Sequence, residues 1–217
     1  MLLIRNNGRK AMQRFLATTI VLSCAVSTPA FADVINGVDL GELNVGAKII
    51  GPVGPDVEVS LISADGHSVG DLRSSVSCPS GFTECMPTDN PSGTVYTYSH
   101  TVTPGQDQPN DPPFPQPATV VNFDDVNRFE LGFEAAGFNG VAGYDFGEAD
   151  TAGVSFSIEQ TESGELVWMT DSDGWDTGEP ITFVWQTTQP PVRPGGVYSI
   201  SNSTGHGAGK GPVPALK

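Results

Sequence analysis

Basic residues are scarce in this sequence. Ten lysines and arginines face 25 aspartates and glutamates over 217 residues, a formal net charge of −15. Four of the ten (Arg5, Arg9, Lys10, Arg14) fall in the first 32 residues, which hold no acid. Residues 33–217 therefore carry six basic against 25 acidic side chains. A surface of that sign repels phosphate backbones and anionic lipid, which argues strongly against nucleic-acid binding. No apolar run is long enough for a membrane helix, which needs roughly eighteen residues. Histidine occurs three times and cysteine three times. No His-x-x-x-His or HExxH pair is present, and nothing resembles a serine nucleophile elbow. Helical periodicity is also rare. Glycine (26) and proline (18) are dense enough to interrupt most helices.

The N-terminus has the three parts of an export signal. The basic region ends at Arg14, residues 15–26 (FLATTIVLSCAV) are uncharged and largely apolar, and Ala30-Phe31-Ala32 is a small-x-small cleavage pattern. Residues 1–32 are thus predicted to be a secretory signal peptide, cleaved after Ala32 to leave Asp33 at the mature terminus. Val21-Leu22-Ser23-Cys24 offers a rival route, a loose lipoprotein box in which Cys24 would be lipidated. The apolar run before Cys24 is short and a proper cleavage site follows, so simple export is the expectation. The predicted location is secreted, periplasmic or cell-surface, with a signal bacterial in style.

Export implies an oxidising compartment. Cys24 leaves with the signal, and Cys78 and Cys85, in Cys-Pro-Ser-Gly-Phe-Thr-Glu-Cys, read as one local disulfide. Closing so small a loop is worth roughly 2–3 kcal/mol by loop entropy.

Beyond residue 32, apolar residues alternate with polar ones at a period of two. Val57, Val59 and Leu61 form one such row, and Tyr96, Tyr98, His100 and Val102 another. Phe129, Leu131 and Phe133 alternate likewise, as do Val154, Phe156 and Ile158. Segments 166–170, 181–187 and 197–201 are further strands. Asp65-Gly66, Asn139-Gly140, Ser163-Gly164 and Asp173-Gly174 are turn signals between them. The pattern predicts an all-β fold, an antiparallel β-sandwich or jelly roll, as one domain over residues 33–200. Residues 103–119 hold six prolines and read as a long extended loop. Residues 201–217, rich in glycine and proline, read as a flexible tail.

Candidate chemistry is sparse. Asp171, Asp173, Asp176 and Glu179 put four carboxylates in nine residues between two strands, a set that could hold Ca2+. The spacing is not that of an EF-hand. Trp175 in the same loop either packs onto the sheet or offers its face to a sugar. Residues 145–150 are a weaker acidic candidate for the same ion. His100 shares a face with Tyr98, which makes the two acid-base candidates for a secreted glycan lyase or hydrolase. A half-buried, hydrogen-bonded strand histidine is the commoner case.

The run from Leu166-Val167-Trp168 through Asp173-Gly174-Trp175-Asp176-Thr177-Gly178-Glu179 to Gln189-Pro190-Pro191 resembles the C-terminal β-rich part of bacterial exported proteins of the PEP-CTERM, exosortase-sorted kind. Gly211-Pro212-Val213-Pro214-Ala215 resembles the proline motif that opens their sorting signal. Such proteins continue into a transmembrane helix and a basic cluster, whereas this sequence stops at Lys217. The resemblance implies a secreted, surface or matrix-associated protein of a Gram-negative bacterium, without established enzymatic activity.

Three expectations follow. The first is an exported, acidic, non-enzymatic sandwich with a structural or adhesive role among envelope or matrix components. The second is a calcium-dependent carbohydrate-binding module that holds a polysaccharide at Trp175. The third is the glycan lyase or hydrolase.

Overall fold

The computed structural model describes residues 32–49, 56–116, 119–170 and 174–216. The expected signal segment lies outside the described residues except for Ala32, and so do Cys24 and the rest of the cleavage pattern. All described residues belong to one compact unit.

The fold is all-β. In chain order the strands begin with β1 (Asp33–Ile35), β2 (Val38–Asp39), β3 (Val45–Lys48), β4 (Val57–Ser63), β5 (Ser68–Pro79), β6 (Tyr96–Pro104) and β7 (Arg128–Leu131). They continue with β8 (Phe138–Tyr144), β9 (Phe156–Gln160), β10 (Leu166–Thr170), β11 (Ile181–Thr187), β12 (Pro191–Ser201) and β13 (His206–Pro214). One α-helix, α1 (Phe146–Ala152), lies between β8 and β9. The strands form one sheet in the order β1-β9-β10-β7-β12-β13-β4-β5-β6-β11-β8-β2, with β3 paired to β5. Every pairing is antiparallel except β2 on β8.

The sheet curls until its two halves face each other as a sandwich. The bend falls between β4 and β13, which share only the pairs Gly207↔Ser63 and Ala208↔Ile62. Alternation then decides which side chains meet inside. On one half, register aligns Ser74, His100 and Phe183 across β5, β6 and β11. On the other it aligns Ile200, Phe129 and Trp168 across β12, β7 and β10. The two rows interlock: Phe129 stacks on Phe183 at 4.4 Å, and His100 packs on Tyr198 of β12 at 4.2 Å. Trp168, Trp175, Trp185, Tyr98 and Tyr198 are all fully buried, so large aromatic rings dominate the core volume.

The N-terminal segment joins the two outer edges of the curl. β1 pairs with β9 at one end of the strand order, and after Asn36-Gly37 β2 pairs with β8 at the other. Gly143 of β8 makes this possible. A Cβ there would lie 1.9 Å from the Val38 carbonyl oxygen, so only glycine lets β2 approach. The Gly143 carbonyl also accepts the indole N–H of Trp168 at 2.9 Å, which ties this edge to the core.

The predicted disulfide is present: Cys78 and Cys85 are bonded, both fully buried. The Asn90 side-chain amide donates to Cys78 Sγ at 3.1 Å and to the Tyr96 hydroxyl at 3.2 Å, holding the 80–95 loop against β6.

Three expectations need correction. The segment read as a flexible tail contains β13, which is paired to β12 along most of its length. Its glycines fit the core: a Cβ on Gly207 would meet Val69, one on Gly209 the Ser60 carbonyl, and one on Gly211 the Tyr198 ring, all within 2.8 Å. The acidic stretch 145–150 is the start of α1, not an ion loop. Asp145 caps it by accepting the Glu148 N–H at 2.9 Å, and Gly153 ends it in the left-handed conformation. Asn139-Gly140 is not a chain reversal. It lies inside β8, where the pairing to β11 shifts register between Trp185 and Thr187 and Gly140 takes a positive φ.

Candidate functional site

The acidic loop before β11 divides into two parts. Asp171 and Asp173 lie outside the described residues. Asp176 and Glu179 are described, and their carboxylates close the loop. Asp176 Oδ1 accepts the Asp125 N–H at 3.0 Å, and Glu179 Oε2 accepts the Asp176 N–H at 2.7 Å. Asp124 returns the contact by accepting the Thr177 N–H at 3.1 Å, and the Thr177 hydroxyl together with that N–H holds its carboxyl below the usual range. Trp175 is fully buried, with its ring against Phe156 (5.4 Å) and Phe183 (5.8 Å) and its backbone paired to Val126 in both directions. The glycan-stacking reading of Trp175 is therefore corrected: neither ring face is open to a sugar. The loop drives this indole into the core like a wedge.

His100 is fully buried as well. The Trp185 indole N–H donates to Nε2 at 3.1 Å, so Nε2 carries no proton. The neutral ring is then protonated at Nδ1, which donates to Ser74 Oγ at 2.9 Å. Burial drives its pKa down to about 3. The neighbouring Tyr98 stacks on Trp185 at 4.4 Å, and burial holds its phenol protonated far above neutral pH. A histidine with both nitrogens bonded inside the core and no path to solvent is a structural hub. This corrects the acid-base pairing of His100 with Tyr98.

The titratable cluster that sequence reading missed lies on the outer face of β4 and β5, under the proline-rich loop. Register places Glu58 opposite Arg73 and Ser60 opposite Asp71. Loop 105–116 covers them and is bonded down at several points. Gln108 N–H donates to Asp71 Oδ1 at 3.3 Å, and Ser60 Oγ donates to Asp107 Oδ1 at 3.1 Å. The Asn110 amide donates to Ser60 Oγ at 2.7 Å. Asp111 and Glu58 exchange contacts at 3.1 Å: each backbone N–H donates to the other residue, to the Glu58 carbonyl and to Asp111 Oδ2.

Burial and the charge of Asp71 push the Glu58 carboxyl up to about 7, and a hydrogen bond between the two carboxyls adds to it. Asp71 and Asp107 are also raised, chiefly by burial. Glu58 Oε2, Asp107 Oδ2 and Asn110 Oδ1 are buried without a hydrogen-bond partner among the described residues. No group of three or more His, Cys, Asp or Glu side chains suited to a metal ion occurs among those residues. Glu58 and Asp71 thus stand as neighbouring carboxyls, both held above the usual range.

Beside this cluster a groove of about 1050 Å3 runs between the proline-rich loop and the β12–β13 hairpin. Pro113, Phe114 and Pro115 form one wall, Ile62 part of the floor, and Arg193 and Lys210 the opposite side. Arg193 sits where β12 slips register between Pro191 and Gly196.

No known protein family, no curated protein and no solved structure matches this chain.

Proposed function

We propose that this is an exported, non-enzymatic, acidic β-sandwich with a structural or adhesive role at the cell surface or in the extracellular matrix. The observation that carries the reading is the place of β1 in the sequence. Among the described residues the first strand, β1, begins at Asp33, the residue that the expected cleavage after Ala32 would expose. That strand then binds the edge at β9, so processing and closure of the sandwich meet at one residue. The buried Cys78–Cys85 bond fits an oxidising compartment, and the resemblance to PEP-CTERM-type exported proteins points the same way. The acidic surface keeps such a protein soluble and away from anionic lipid.

The test is surface labelling of intact producing cells with a membrane-impermeant amine reagent, beside a strain deleted for the gene. The expected outcome is labelled protein on cells or in their matrix, and weaker cell attachment in the deletion strain. Protein protected from the reagent until lysis, with attachment unchanged, contradicts the reading.

A further inference from the structure

Cations are rare beyond residue 32, and their partners discriminate among them. Lys48 pairs with Asp56 at 2.7 Å, Arg128 with Glu130 at 2.6 Å and Arg73 with Glu58 at 4.0 Å. Arg193 and Lys210 are exposed and form no ion pair among the described residues. Both line the same groove, on the same side, facing an apolar wall of Pro113, Phe114 and Pro115. On a chain of net charge −15, two unpaired cations in one concavity make the place where an anion is attracted while the rest of the surface repels it.

From this we infer that the groove is a binding site for an extended anionic polysaccharide. Arg193 and Lys210 would pair with uronate carboxylates, and Phe114 would lie against the apolar face of a sugar ring. The inference deepens the adhesive reading above and rests on it for biological meaning, though not for its chemistry. The volume, about 1050 Å3, reaches the top of the range for small-molecule pockets (roughly 300–1,000 Å3). Guanidinium and ammonium groups recognise carboxylates by charge-assisted hydrogen bonds, the guanidinium often with two at once. The apolar lining of Pro113, Pro115 and the half-buried Phe114 supplies the contact area that charge alone lacks. Duplex nucleic acid is disfavoured, because two cations cannot offset the repulsion of so many carboxylates.

The experiment uses the chain from residue 33 onward with its disulfide formed, and titrates it calorimetrically with polygalacturonate, neutral dextran and poly-L-glutamate. The expected result is binding of polygalacturonate that weakens steeply with added salt, with no measurable binding of dextran. The double variant Arg193→Ala/Lys210→Ala is expected to bind at least tenfold more weakly, and Phe114→Ala several-fold more weakly. Both cations are exposed, so the double variant should melt at the wild-type temperature, which separates lost binding from lost fold. Absence of polygalacturonate binding, or binding unchanged in the double variant, overturns the inference. Equal affinity for poly-L-glutamate overturns the sugar assignment. Protein found at the surface that binds none of the three polymers would leave the adhesive reading standing and remove this site alone.

Discussion

A buried histidine and a half-buried glutamate with opposite titration behaviour share the sandwich. His100 is held neutral with its pKa lowered from 6.5 to about 3, so the unfolded chain binds the extra proton between those values. Its stabilising contribution is complete above pH 6.5 and is lost as pH falls toward 3. Glu58 is the reverse. Its pKa is raised from 4.5 to about 7, so its contribution is complete below 4.5 and is lost as pH rises through 7. Between pH 4.5 and 6.5 the two slopes oppose each other. Glu58→Gln removes one of them and keeps a side chain able to donate to Asp71. Its urea midpoint is therefore predicted to rise with pH across that window more steeply than the wild type. Parallel curves for the two proteins would contradict the raised Glu58 carboxyl. His100→Ala leaves Ser74 and Trp185 without their partner and opens a cavity, and should cost about 2–4 kcal/mol by urea unfolding. His100 was visible in the sequence as a strand residue in line with Tyr98. Its partners were not, because Ser74 and Trp185 lie 26 and 85 residues away. The Glu58–Asp71 pair was hidden for a different reason. With 25 acids, close pairs arise by chance, and only the β4–β5 register and the covering loop make this one distinct.

At the scale of elements, segments 166–170 and 181–187 were legible to the residue, because their side chains alternate cleanly or are apolar throughout. β13 was hidden by its composition. Glycine-rich sequence reads as flexible, yet Gly207, Gly209 and Gly211 recur at a period of two and all face the core. The alternation that marks other strands was present here in the absence of side chains. Small residues are required because β13 crosses the corner where Val69, Ser60 and Tyr198 crowd the interior. Gly211→Val should therefore destabilise the protein by about 1–3 kcal/mol through overpacking against Tyr198. Lys210→Ala on the outward face should change stability by less than about 0.5 kcal/mol. Urea unfolding of the two variants decides the matter, and equal effects would show that the alternation is misplaced. α1 was missed because its seven residues carry two acids, Glu148 and Asp150, directly after the Asp145 cap, and attracted an ion-binding reading. Its Asp145 cap and terminal Gly153 were nonetheless helix signals in the sequence.

Across the whole molecule, the sandwich class and the disulfide were legible, since both rest on local pattern and compartment. The curl of one sheet into two facing halves was not, because it depends on the two-residue contact between β4 and β13. Nor was the closure of both open edges by the seven residues that begin at Asp33. This closure gives the export reading its structural content: with the signal still attached, the chain would run directly from the membrane into an edge strand. The most direct measurement is the intact mass of the protein recovered from fractionated producing cells. The account predicts the mass of residues 33–217, less two protons for the Cys78–Cys85 bond, in the medium, periplasm or surface fraction. A mass that retains residues 1–32, or a lipidated species beginning at Cys24, would contradict it.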